Sequence, residues 1–374
     1  MGDVRSSKGV LNRRELFGYS AALGMGAVLL AGSQSQAGAA SAAPVKAKKD
    51  GSTLALFGWE GYWAPSVMKA FEKEYGIIIT QTYETGETDG LTKVASGQPF
   101  DCCITNSAYL HQLIKGGVLR KIDHSELTNY SQVIPAFRNP FYDPGAKYSV
   151  GYAMAPIGLA WLADRTGDMT GSWADLWTHA RKLKPHAYCT SNSEAIAIGL
   201  MYSGFPENSV NPTELDAAVK ALQKLKPYIG GFESINTIQI LTNGQAWMIP
   251  TYTGNAYTAI LTMKDPGNLR FQLCKEGGFF NADNMSISAS AQHPGNGMLF
   301  IDWMLQPENM AANVDYIGYP TPTTQGIASY TKLVSTHPFL DIPLSQMTDW
   351  TSWEAPQTAA QAGLWNQMWL DVEA

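Results

Sequence analysis

Nine consecutive residues, Phe57 to Pro65 (FGWEGYWAP), hold four aromatic side chains, two glycines and one carboxylate. A core would have to bury Glu60 beside Trp59, and a plain surface would leave Trp59, Tyr62 and Trp63 to promote aggregation. This composition points to a turn that faces a ligand, with Trp59 and Tyr62 as contacts and Trp63 as packing. The chemistry on offer is recognition rather than bond making. The six histidines (His111, His124, His179, His186, His293, His337) are scattered, with no His-x-His or His-Glu-x-x-His spacing. No Gly-x-Ser-x-Gly elbow or phosphate loop stands out. No catalytic residue, metal site or cofactor is therefore assigned.

Position explains why such a turn would meet a ligand. TLALFGW reads as a buried strand, and PSVMKAFEKEYG as a short amphipathic helix with proline at its start and glycine at its end. IIITQTY is strand-like, TDGLTKVASGQ helical, FDCCIT a strand, and SAYLHQLIKGG a helix closed by glycine. Such alternation predicts a parallel or mostly parallel sheet with helices on its faces, where ligands bind beyond the carboxyl ends of the strands. The aromatic turn, YETGET and TNSAY all fall at that edge. Downstream, SWADLW and PTELDAAVKALQKLKP predict helices, and NGQAWMIPTYTGNAY predicts a strand, a Gly-Asn turn and a helix. GGFFNADNMSIS reads as a strand-turn region, and GNGMLFIDWMLQPENMAANV as two helices broken at Pro307. The stripe Met298, Met304, Met310 is expected to be helix packing.

The N-terminal segment carries Arg13 and Arg14 ahead of a mildly apolar run, Tyr19 to Ala31, too short for the roughly 20 residues of a membrane span. Small residues such as Ala40-Ser41-Ala42 follow. Residues 1–42 read as a cleavable export signal of twin-arginine type, and 43–50 as a linker. Removing the signal's four basic and two acidic residues takes the formal charge from −6 to −8. An acidic body without a basic run argues against nucleic acid as partner and is compatible with a cationic ligand. The remaining 332 residues exceed one comfortable core and suggest two lobes. Cys102, Cys103, Cys189 and Cys274 allow three pairings, and buried free thiols are the expectation.

GWEGYWAPSVMKAFEKEYGI, TYETGET, FDCCITNSAYLHQLIKGGVLRKID, SWADLW, KEGGFF and IGYPTP resemble, in order along nearly the whole mature chain, the spermidine/putrescine-binding proteins of bacterial ABC importers. The resemblance implies an α/β, two-lobed periplasmic binding protein fold with a hinge between the lobes. Lobe 1 would comprise residues 51–156 with 283–327, and lobe 2 residues 157–282 with 328–374. It implies a soluble, exported, periplasmic protein that is not an enzyme. Its ligand would be a small-molecule amine and its partner an ABC transporter permease in the inner membrane. Carboxylates would pair the ligand's ammonium groups, while Trp and Tyr faces would take its methylenes and positive charge.

Residue by residue, Trp59 and Tyr62 match the family's stacking aromatics, Asp283 its ammonium-clamping aspartate, Tyr319 a lining tyrosine and Ser234 a contacting serine. Other positions depart from the family pattern. The first-turn carboxylate is moved to Glu60. Ala108 replaces an aromatic, with Asn106 and Ser107 beside it. Tyr252 and Asn281 replace tryptophans, and a carboxylate pair is reduced to Glu194 with Asn192 nearby. Trp350 and Trp353 offer no sure counterpart to a C-terminal contact. A shorter amine, an amino acid or another zwitterion would suit Asn106, Asn192 and Asn281. An exported enzyme, or a metal-binding protein of the same fold class, remains as a further alternative.

Overall fold

Apolar runs too continuous for a strand with one wet face set the frame. A computed structural model describes residues 45–85, 87–278, 280–337, 340 and 359–374. The export segment, Trp350 and Trp353 lie outside these residues. The strands are β1 (Thr53–Gly58), β2 (Ile78–Tyr83), β3 (Cys102–Asn106), β4 (Val150–Leu162), β5 (Met248–Tyr252), β6 (Leu269–Gln272) and β7 (Phe280–Ser286). Every residue of β3, β4 and β7 is buried, as strands covered on both faces require. β2 is mostly exposed and forms an edge.

The strand order is β2-β1-β3-β7-β4-β5, with β6 also paired to β4. Among the described strands, only β1, β2 and β3 pair with one another in parallel. The expectation of a mostly parallel sheet is therefore corrected: β7 runs antiparallel to both β3 and β4, and β5 and β6 run antiparallel to β4. Strand-helix alternation holds for the first three strands, whereas later strands return through longer excursions of the chain. β4 changes partners along its length. Its first half, Val150–Pro156, pairs with β7, and its second half, from Ile157, pairs with β5 and β6. Gly158 permits this: a Cβ there would sit 2.4 Å from the Gln272 carbonyl oxygen of β6.

The principal helices are α1 (Pro65–Tyr75), α2 (Glu87–Ala95), α3 (Ser107–Lys115), α4 (Ala174–Leu183), α5 (Asn192–Tyr202), α6 (Pro212–Leu225), α7 (Thr253–Thr262), α8 (Pro294–Met304), α9 (Pro307–Ile317), α10 (Thr324–Thr336) and α11 (Ala359–Glu373). α1 starts on Pro65 and stops at Gly76 in the left-handed conformation, which a residue without Cβ adopts cheaply. α7 begins immediately after β5, so the expected Gly-Asn turn is instead the first turn of a helix. Backbone donors at a helix start have no intrahelical partner and leave Gly254 and Asn255 free to join it. Met298, Met304 and Met310 are fully buried, as expected for packing. Trp63 packs as expected too, its ring 4.5 Å from that of Tyr152 and 5.2 Å from that of Phe300. On the other side of the molecule α11 closes over α5 and α6: Trp365 donates to the Ser209 carbonyl, and Trp369 meets Phe232 edge-on at 5.0 Å.

The four cysteines are buried and free, and burial pushes their thiols up. No helix among the described residues is long and apolar enough to cross a membrane. Residues ahead of β1 run along the body, with Val45 bridged to Ile122 and the Asp50 carboxylate accepting from the Gly295 and Asn296 amides.

Candidate functional site

Asp283 lies where β7 is flanked on both sides, opposite Asn106 of β3 and Ala153 of β4. Two neutral donors hold its carboxylate. The Tyr62 hydroxyl donates to Oδ2 at 2.5 Å, and Asn106 Nδ2 donates to Oδ1 at 3.2 Å. Both donors are fixed by their own positions in the chain. Asn106 caps α3, its Oδ1 accepting from the Ala108 amide at 2.9 Å, so its nitrogen is the end presented to Asp283. Tyr62 follows Gly61, whose φ of +71° turns the chain after β1. The Tyr62 carbonyl accepts from the Tyr152 hydroxyl at 2.5 Å, and Asn313 bonds both Tyr152 and the Ala64 amide. The Tyr62 ring stands edge-on to Tyr319 with centroids 6.1 Å apart.

No salt bridge among the described residues involves Asp283. Burial pushes its carboxyl up to about 7, against the pull of the Tyr62 and Asn106 hydrogen bonds. The same burial, followed by the Asp283 charge, pushes the Tyr62 hydroxyl well above its ordinary value, so the proton between them stays on tyrosine. The result is a buried anion site built from neutral donors.

A second carboxylate sits on α5. Glu194 occupies its first turn, half-buried, and accepts from the hydroxyls of Tyr252 and Thr190 through different oxygens. Partial burial pushes its carboxyl up, opposed by those two bonds. Asn281 Nδ2 donates to the Tyr252 hydroxyl at 3.0 Å, which joins β7 to this cluster. Ser234 Oγ lies 2.6 Å from Ser191 Oγ at the N-cap of α5, next to Asn192 in a left-handed conformation.

The remaining predicted positions divide clearly. Ser107 is buried, and its hydroxyl accepts from the Ala282 amide at 3.0 Å, tying α3 to β7. Tyr319 is half-buried, its hydroxyl 3.5 Å from Asn255 Oδ1. Trp59 is half-buried at the end of β1, while Glu60 is exposed in the turn. The structure thus gathers Tyr62, Asn106 and Asp283 around one carboxylate, and Glu194, Tyr252 and Asn281 around the other. Tyr152, Asn313 and Thr190 support these clusters and were missed from sequence. The apolar run VGYAMAPIGLAWL was the available signal for Tyr152, but Pro156 inside it reads against a strand. Among the described residues, no group of three or more His, Cys, Asp or Glu could hold a metal ion.

Residues 66–339 match the family described as bacterial extracellular solute-binding protein. The chain is 31% identical over 282 residues to a putrescine/agmatine-binding protein of Pseudomonas aeruginosa, covering 71% of this chain and 77% of that one. It is 31% identical over 278 residues to the spermidine/putrescine-binding periplasmic protein of Salmonella typhimurium, covering 73% and 78%. The crystal structure of the spermidine/putrescine ABC transporter substrate-binding protein of Streptococcus pneumoniae superposes with a TM-score of 0.74. It shares 22% identity and covers 86% of this chain and 99% of that one. The two-lobed binding-protein fold is common to both.

Proposed function

Because the chain belongs to the bacterial extracellular solute-binding protein family, we propose that it captures a polyamine of the putrescine or spermidine type and delivers it to an ABC importer. Asp283 carries this reading. A buried carboxylate with two neutral donors and no cation beside it among the described residues is a poor structural element and a good ammonium receptor. An arriving ammonium supplies the missing charge through a strong, charge-assisted hydrogen bond. Tyr62 and Tyr319 line the same carboxylate with aromatic surface that suits methylenes. Trp59, at the mouth of the turn, supplies a face for stacking. Glu194 receives the second nitrogen, with Tyr252 and Asn281 beside it, and Ser234 contributes from the far side.

The protein acts as a binding component rather than an enzyme, exported by the twin-arginine route to the periplasm, with a permease in the inner membrane as its partner. The lobes are residues 51–156 with 283–327, and 157–282 with 328–374. The change of partners within β4 at Pro156 and Ile157 supports that division. A thermal-shift screen of polyamines, amino acids and quaternary amines, followed by calorimetric titration of the hits, tests the ligand class. Stabilisation by di- and triamines is the expected result. A response to amino acids alone would replace the polyamine by a zwitterion.

A further inference from the structure

Tyr152 is fully buried on β4, and its hydroxyl stands between two partners. One is the Tyr62 carbonyl oxygen at 2.5 Å, which can only accept, so the single hydroxyl proton of Tyr152 goes there. Toward Asn313 the same hydroxyl oxygen is left to accept, and it takes the bond from Nδ2 at 2.6 Å. The other arm of the Asn313 amide, Oδ1, accepts the Ala64 N–H at 2.9 Å. One fully buried side chain therefore grips the backbone on both sides of Trp63, directly at Ala64 and through Tyr152 at Tyr62. An amide has the donor and the acceptor this needs, whereas a carboxylate offers Tyr152 no donor and leucine offers neither.

The gripped segment aims the Tyr62 hydroxyl, which lies 2.5 Å from Asp283 Oδ2. Gly61, just ahead of it, turns the chain at φ +71° with no side chain to anchor the turn, so the hold on Tyr62 comes from beyond it. Asn313 lies near the end of α9, which stops at Gly318, and the next residue, Tyr319, stands edge-on to the Tyr62 ring at 6.1 Å. Resting on Asp283 as the ligand's ammonium partner, we propose that Asn313 is a positioning residue for that carboxylate. It holds the Tyr62 backbone so that the hydroxyl donates to Asp283, and it does so from the helix that also delivers Tyr319. Without that aim Asp283 keeps Asn106 as its donor, and losing the second bond disfavours the charged form that pairs with a cation. The titratable groups facing Asp283 are the hydroxyls of Tyr62, Tyr142, Tyr152 and Tyr319. Burial pushes all four up, as it does Cys102 beside Tyr152, so they stay neutral while the carboxyl titrates.

The test uses Asn313→Leu and Tyr62→Phe, singly and together, in the full chain. Calorimetric titration with 1,4-diaminobutane reads the affinity, and the carbon NMR resonance of the Asp283 carboxyl, followed against pH without ligand, reads the hydrogen bond. Asn313→Leu should weaken binding about fivefold on its own and less than about twofold beside Tyr62→Phe, because the hydroxyl it positions is then already gone. It should also raise the midpoint of the Asp283 resonance. Tyr152→Phe, which removes the link to the Tyr62 carbonyl, should act in the same direction on both readouts and carries the test if the leucine variant does not fold. Equal losses with and without the Tyr62 hydroxyl, or an unmoved Asp283 midpoint in a folded variant, would overturn the positioning role. Failure of the wild type to bind the diamine would overturn the ammonium reading instead, and the resonance would still decide whether Asn313 aims Tyr62.

Discussion

Asp283 and Glu194 bear the same functional group, and burial pushes both carboxyls in the same direction, yet the molecule holds them differently. Asp283 stands inside a strand with neighbours on both sides, and its two donors are themselves fixed by a helix cap and a second tyrosine. Glu194 stands part-buried on the first turn of a helix, and its two partners are both hydroxyls. Position rather than residue type decides how much an added cation gains. A desolvated carboxylate without a counter-charge stands to gain most, because water no longer competes for it. A part-buried one keeps some contact with water and stands to gain less.

The largest separation between the two should come from removing each charge in turn. Asp283→Asn keeps the shape and should cost roughly 2–5 kcal/mol of diamine affinity, by analogy with truncated buried charge pairs. A loss within a factor of about three, below 1 kcal/mol, would move the ammonium clamp elsewhere. Next in size, Tyr62→Phe removes one hydrogen bond from the charged form of Asp283 and should weaken binding by about 1.5–3 kcal/mol. Because that bond holds the carboxyl down, its loss should also raise the pH midpoint of binding.

The pH dependence itself has a defined sign. The ligand's ammonium stays charged across neutral pH, whereas Asp283, raised to about 7, gains a proton as pH falls and must lose it to bind a cation. Affinity measured at pH 5.5 should be about 25-fold weaker than at pH 7.5. In the free protein the same shift favours the folded state below the ordinary carboxyl pKa, and that contribution is lost as pH rises through about 7. Ligand-induced thermal stabilisation should therefore grow with pH, and a flat profile would exclude Asp283 as the titrating group. Glu194→Gln should cost a diamine less than Asp283→Asn, about 1 kcal/mol, because Glu194 is part-buried and keeps some contact with water. Smallest of all, Glu60→Gln should change affinity by less than about twofold, because Glu60 is exposed in the turn; a larger loss would show that the turn folds inward on binding.

How much of this was legible in sequence follows from how local each signal is. The first three strands and their helices could be read because apolar runs, Pro65 and Gly76 punctuate them within a few residues. The aromatic turn could be read because Glu60 and Gly61 make it unfit for a core. β4 could not, since Pro156 interrupts an apolar run that only pairing with Phe280 of β7 makes a strand. Asp283 was identified by its place in a motif, but its partners were not. Tyr62 lies 221 residues away, and nothing in its neighbourhood announces a hydrogen bond rather than a stacking role. Asn313 was invisible for the same reason, acting only through Tyr152 and a backbone amide.

β4 is a single strand that belongs to two sets of neighbours, and this has a mechanical meaning. In a rotation of one set of neighbours against the other, a strand continuous through both would be the fulcrum, with displacement growing away from it. Asn281 and Asp283 lie on β7 directly beside β4, opposite Ala155 and Ala153, where the lever arm is shortest. The Asp283 carboxylate and its Asn106 donor lie on strands joined through β7 to β4, so their mutual geometry would change least in such a rotation. The Trp59 turn leads directly into Tyr62 and would move with the Asp283 carboxylate that Tyr62 holds.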